Sequence, residues 1–155
     1  MKTFVPMQNK SGVFAIIDTE DAARVLQHGW YVETRKYTSY AATSWRENGK
    51  VVNCRLHRFI LKVKQGEIVD HKDRDGLNCT KDNLRFVTKS QNTLNTGREG
   101  NLTGIRFRRG KWYAYVTLHR KIVYEKPFIY KANAIRARNE AARKFHGEFA
   151  VMNHE

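Results

Sequence analysis

Asp70-His71-Lys72-Asp73-Arg74-Asp75-Gly76 and, after a short interval, Asn83-Leu84-Arg85-Phe86-Val87-Thr88 are the residues on which the reading of this chain turns. Ile68 and Val69 lead into them, and the polar run from Asp70 to Asn83 has the composition of a loop. Asp73, Asp75 and Gly76 suit a turn, because short carboxylates bond the backbone just beyond them. An EF-hand calcium loop is excluded, since Leu77 and Asn78 stand where its third carboxylate and its glycine would fall. On the N-terminal side Leu56, Phe59 and Ile60 recur at helical spacing within Leu56 to Lys62. On the C-terminal side Thr88-Lys89-Ser90-Gln91 is a capping box, in which Thr88 and Gln91 satisfy the first free amides of a helix. Asn92 and Asn95 share one face of that helix.

Working outward, the front of the chain is β-rich. Val13 to Ile17 reads as a strand, and Thr19 caps a helix over Glu20 to Gln27 that His28-Gly29 ends. Strands follow over Trp30 to Arg35, Ser39 to Trp45 and Val51 to Leu56, with Asn48-Gly49 as a tight turn. Behind the central stretch, Gly97, Gly100 and their polar neighbours mark a linker over residues 97–102. Strands are then expected over Gly104 to Arg108, Trp112 to Leu118 and Lys121 to Ile129, broken by Arg109-Gly110-Lys111 and His119-Arg120. A closing helix over Lys131 to Phe145 is rich in alanine, with Ile135 and Phe145 as larger contacts, so that it can lie close to a sheet. Either Tyr130, a poor cap, or Asn133, a good one, begins it, and Gly147 supplies a left-handed end. The fold class is α+β in two small domains, residues 1–96 and 103–155.

The charge narrows the partner. Twenty-nine Lys and Arg against 15 Asp and Glu leave +14 on 155 residues, a field that concentrates polyanions. The net charge is +6 over residues 1–95 and +8 over the shorter remainder. Nucleic acid fits this better than an anionic membrane, because the chain has neither a long uncharged apolar run nor a basic amphipathic helix with bulky apolar residues. The apolar run Val13 to Ile17 is too short for a signal peptide, and two cysteines, Cys54 and Cys79, make no disulfide framework. An intracellular, reducing setting is expected.

Taken in order, Leu56-His57-Arg58, the Asp70–Gly76 turn, Asn83-Leu84-Arg85-Phe86-Val87-Thr88 and Asn92-Thr93-Leu94-Asn95 resemble the HNH, or ββα-metal, nucleases of phage and intron homing endonucleases. The resemblance implies a small metal-dependent nuclease core. His71 is the implied general base, Asp70 and Asn92 the implied ligands of Mg²⁺ or another divalent ion such as Mn²⁺, and Asn83 the brace that orients His71. Asp70 and His71 are adjacent on an extended segment and face apart, so a bend is needed for both to reach one phosphate. His57 stands between a phosphate contact in the site and a support of the core. Arg58 and Arg85 are phosphate contacts or surface charges. A structural zinc on Cys54, His57, His71 and Cys79 is set aside, since no paired C-x-x-C exists and the metal would take the base.

Thr103-Gly104-Ile105-Arg106-Phe107-Arg108, Gly110-Lys111-Trp112-Tyr113-Ala114 and Ala141 to Asn153 resemble the AP2 DNA-binding domain, a three-stranded antiparallel sheet backed by one helix. That pairing with an HNH core occurs in phage homing endonucleases. The resemblance places Arg106, Arg108 and Trp112 at its DNA contacts, with Lys111 and Tyr124 as weaker matches. It departs from the family at Tyr124 to Tyr130, which lacks the usual leucine-glycine, and at Thr117, often arginine in plant members. Together these imply an enzyme that nicks double-stranded DNA, a monomer in preference to a dimer, working in a bacterial cytoplasm if phage-encoded. The rival readings are a DNA-binding protein that keeps an HNH scaffold without cutting, and a nuclease directed at RNA.

Overall fold

The computed structural model describes residues 1–36, 38–94 and 102–154. It is mixed α+β, with small antiparallel sheets, and it divides into two compact units, Met1–Thr88 and Lys89–Glu155. The division falls ahead of the linker expected at residues 97–102, most of which lies outside the described residues.

The first unit opens on a hairpin in which β1 (Lys2–Pro6) pairs antiparallel with β2 (Phe14–Asp18). Val5, Ala15 and Ile17 enter the core, while Phe4 and Phe14 stack edge to face on the exposed side. The helix expected over Glu20 to Gln27 is shorter: a 3-10 turn at Thr19–Asp21 runs into α1 (Ala22–Val25). Thr19 does not cap it, because the residue takes part in the 3-10 turn and its hydroxyl bonds that of Thr3 at 3.1 Å. Buried Trp30 donates its indole N–H to the Val25 carbonyl at 2.8 Å and so fixes where the chain leaves α1.

Three strands, β3 (Tyr31–Thr34), β4 (Ser39–Glu47) and β5 (Lys50–Arg55), form an antiparallel sheet in that order. Asn48 and Gly49 join the last two with φ of +49° and +77°, the left-handed pair that matches the twist of a tight hairpin. Helix α2 (Leu56–Leu61) follows at once and buries Leu56, His57 and Ile60. Next, β6 (Ile68–His71) pairs antiparallel with β7 (Leu84–Val87), placing Asp70 opposite Arg85 and His71 opposite Leu84. Asp70 and His71 are therefore strand residues and not the start of a loop; the pairing that extends the strand comes from residues well downstream, out of reach of a local reading. The connecting loop is tied to β2, with the Ile16 N–H donating to the Leu77 carbonyl and the Cys79 N–H to the Ile16 carbonyl, both at 2.8 Å. Val5, Ile17, Val25, Trp30, Leu56, Ile60, Cys79 and Leu84 share one core, so the loop and the β6-β7 pair are packed against the same body.

The second unit comprises α3 (Lys89–Leu94), β8 (Ile105–Arg108), β9 (Lys111–Leu118), β10 (Lys121–Phe128) and α4 (Lys131–His146). Its antiparallel sheet has β9 in the centre. Arg109-Gly110 and His119-Arg120 close the two hairpins with positive φ at every position. On α4, Ala134, Ile135, Arg138, Ala141 and Ala142 are buried, and the last two share a core with Val116 of the sheet. The helix begins at Lys131, with Tyr130 making no side-chain cap, and not at Asn133. Gly147 has positive φ but ψ of −130°, so the left-handed helical end is not formed. Beyond it the tail is bound back. Asn153 accepts from the Thr103 N–H at 2.8 Å and donates to the Thr103 carbonyl at 2.9 Å, and Asn139 of α4 makes a matching pair of 2.9 Å bonds to the Asn153 backbone.

Candidate active site and nucleic-acid interface

The first unit concentrates its titratable groups at the end of β6. His71 is 5% exposed. The His57 ring meets it edge to face, with centroids 4.8 Å apart, and the Tyr40 ring lies 5.9 Å away. Its Nε2 is 3.9 Å from the Cys79 sulfur. Burial lowers the His71 pKa below that of a free imidazole, against the opposing pull of Asp73, Asp70 and Asp75. The imidazole is thus neutral at neutral pH. His57 is pushed further down, to about 3, chiefly by burial and then by His71, Arg55 and Arg58, and its Nδ1 finds no hydrogen-bond partner among the described residues.

Asp70 sits one step before His71 on an unbroken strand, and successive strand residues turn to opposite faces. The bend expected between them is absent, because both pair in regular register with β7. The same register brings Arg85 across to Asp70: its Nε and Nη2 donate to Oδ2 at 3.0 and 2.9 Å. Arg85 therefore has an internal carboxylate partner, and Arg58 likewise donates to the carbonyls of Glu67 and Lys64, both at 3.1 Å.

Asn83 holds the turn that follows His71. Its Oδ1 accepts from the Asp73 N–H at 3.1 Å, and its Nδ2 donates to Asp73 Oδ1 at 2.9 Å and to the Asn78 carbonyl at 2.7 Å. Asp73 and Asp75 accept from the amides of Asp75 and Leu77, each at 2.9 Å, so both carboxylates shape the turn. Gly76 is required there by crowding: a Cβ would lie 2.3 Å from the Ser39 carbonyl oxygen and 2.6 Å from the Tyr40 ring. Asn92, partly buried, lies on α3 in the second unit, and Asn95 lies outside the described residues.

No three His, Cys, Asp or Glu side chains among the described residues form a metal-holding group. Magnesium asks little of a protein, commonly one or two carboxylates with water and substrate phosphate completing the shell. Asp70, a carboxylate beside a neutral imidazole, suits such a hard cation by its chemistry. Burial raises the pKa of the Cys79 thiol.

The sheet of the second unit sorts its side chains by face. Ala114 and Val116 point towards α4 and are buried, which puts Lys111, Tyr113, Tyr115 and Thr117 on the open face. Register adds Arg106, opposite Tyr113, Arg108, opposite Lys111, and Glu125, opposite Tyr115. Arg106 pairs with Glu125 across β9, and its guanidinium lies 5.1 Å from the Tyr115 ring centroid. Trp112 and Tyr124 are on the other face. Trp112 packs on Phe107 and beneath Lys131, and Tyr124 packs on the core with Val116, Ala141 and Ala142. Alternation from buried Ala114 is the reason, and it removes these two from the open surface where the resemblance would have grouped them with Arg106 and Arg108. Tyr113, Tyr115 and Glu125 share the open face with Arg106, and the two-residue period starting at Lys111 that places the tyrosines there is visible in the sequence.

A family model described as HNH endonuclease matches residues 55–94. The chain is 30% identical over 158 residues to an uncharacterized HNH endonuclease of Acanthamoeba polyphaga mimivirus, an alignment covering 97% of this chain and 80% of that protein. It is 36% identical over 69 residues to the H-N-H endonuclease F-TflI of Escherichia phage T5, covering 39% of this chain and 35% of that one. No solved structure matches.

Proposed function

This chain belongs to the HNH endonuclease family, and we propose that it is a metal-dependent DNA endonuclease whose second unit is an AP2-like module that positions it on the duplex. The observation that carries the catalytic half is His71: a buried, neutral imidazole on β6, next in sequence to a carboxylate. Such an imidazole can accept the proton of a water that attacks the phosphorus. The scissile phosphate lies at the C-terminal end of β6, and for Asp70 and His71 to reach it together the strand must bend there, since in this structure they face opposite sides. Asp70 would hold Mg²⁺ or Mn²⁺, which when bound would neutralise charge on the phosphate and assist the leaving oxygen; Asn92, the other ligand that the resemblance implies, belongs to the second unit. His57 walls the His71 ring from the core side, and Asn83 keeps the following turn in place.

The open sheet face carries Arg106, Arg108 and Lys111, with Glu125 paired to Arg106 among them, a mainly basic surface suited to the major groove of a duplex. With one nuclease site per chain, a monomer nicks one strand, in the manner of a homing-type enzyme.

Supercoiled plasmid tests the proposal. Mg²⁺ is expected to support nicking and EDTA to abolish it. The His71→Ala variant should cut about 10²- to 10⁴-fold more slowly with duplex affinity unchanged. Wild-type turnover by that variant would remove His71 from the mechanism, and preferred cleavage of duplex RNA would replace DNA as the substrate.

A further inference from the structure

Arg106 stands on β8 and Glu125 on β10, the two outer strands of the sheet, yet their side chains form an ion pair across β9. Register explains it: Arg106 is opposite Tyr113 and Glu125 is opposite Tyr115, so the two charges lie on one diagonal of the open face. The guanidinium lies 5.1 Å from the Tyr115 ring centroid and 5.9 Å from that of Tyr113. It is therefore held above the middle strand, with aromatic rings beneath it and a carboxylate on its far side. Both side chains stay partly exposed, and an exposed pair adds little to stability. Its effect falls on what Arg106 can bind.

The outer strands of a three-stranded sheet are about 10 Å apart, and the major groove is about 12 Å wide. A sheet laid in that groove puts its middle strand over the base edges and its outer strands along the phosphate walls. An unpaired arginine on β8 would reach the near wall, whereas Arg106 is drawn away from it, towards the floor. Glu125 also offsets its charge, and the carboxylate itself is repelled by phosphate. The guanidinium fork still has N–H donors to offer, and guanine, with two acceptors side by side, is the base edge that matches it. Arg108 differs. It faces Lys111 across the β8-β9 hairpin, two like charges directly opposite, a placement that a phosphate between them relieves. We propose that Glu125 is a positioning residue for DNA recognition: it holds Arg106 over Tyr115 and so makes it a reader of guanine and not a phosphate contact, while Arg108 and Lys111 supply the sequence-independent grip.

This inference rests on the reading of the open sheet face as the DNA interface, and the experiment separates the two. The full chain, in EDTA so that the duplex stays whole, is allowed to select from DNA duplexes with a randomised central stretch. Its affinity for one duplex of arbitrary sequence is followed against salt. The wild type is expected to enrich sites with a guanine whose preference, about 10-fold or more, is lost in Arg106→Ala. In Glu125→Gln, which keeps the shape and loses the charge, that preference should fall towards unity. The released Arg106 should then bind the arbitrary duplex several-fold more tightly at low salt, with the slope of log affinity against log salt steeper by about 1. Arg108→Ala should make the slope shallower by about 1 and leave the guanine preference intact. Guanine preference retained in Glu125→Gln overturns the inference, as does a wild-type selection with no guanine that depends on Arg106. If Arg108→Ala still weakens binding in either case, the sheet remains the interface. If Arg106→Ala, Arg108→Ala and Glu125→Gln all bind as the wild type does, the interface reading falls and takes the inference with it.

Discussion

His57 is 6% exposed, and its pKa is held at about 3, well under the ordinary value of 6.5. A histidine whose folded pKa is depressed binds its proton more readily in the unfolded chain, so its contribution is complete above pH 6.5 and is lost as pH falls towards 3. The expected loss is on the order of 4 kcal/mol across that window. Urea titrations at successive pH values check it: His57→Leu should flatten the slope between pH 6 and about 4, and an unchanged slope would place the acid sensitivity elsewhere. Asp70, His71 and Asn83 were legible from the sequence because their order and spacing lie within one short stretch. Tyr40 was not, and Cys79 entered only as a zinc ligand that was set aside. Tyr40 reaches the histidines from β4, and Cys79 is placed by a backbone ladder to β2, contacts that join segments with no shared pattern.

At the scale of elements, β2 to β5 and β8 to β10 were readable from alternation and turn residues; β1, β6 and β7 were not, nor was the shortness of α1. Its short run of alanines is helical by propensity, but the Trp30 indole N–H takes the Val25 carbonyl at its end, a side-chain bond that helix propensity does not announce. The β8-β9-β10 sheet offers a test of how closely its strands are packed. Gly104 has φ of +72°, and a Cβ there would lie 2.3 Å from the Tyr115 carbonyl oxygen, while the Gly104 carbonyl accepts from the Tyr115 N–H at 2.8 Å. Gly104→Ala therefore adds left-handed strain to a backbone collision, and a destabilisation of at least about 2 kcal/mol is expected. Hydrogen exchange should show lost protection along β8, β9 and β10; full retention would mean that the chain entering β8 shifts freely.

For the whole molecule, the excess of 14 positive charges makes binding to any duplex depend on salt. Affinity should fall by orders of magnitude between about 50 and 200 mM salt. Replacing Arg106 or Arg108 by alanine should reduce the slope of log affinity against log salt by about 1 for each if it meets phosphate, or cost about 1–3 kcal/mol at selected sequences if it meets a base. Trp112→Phe, on the opposite face of the sheet, should leave both quantities unchanged. Equal effects from all three would mean that the sheet does not present its open face to DNA. The Asn153 side chain, clasped to both backbone groups of Thr103, brings the two ends of the sheet-and-helix body to one place. Such a body has a seam: its ends can be sewn together and a new opening cut at the Arg109-Gly110 turn, and the permuted cassette should fold and could be spliced into another protein's surface loop without prying its host apart.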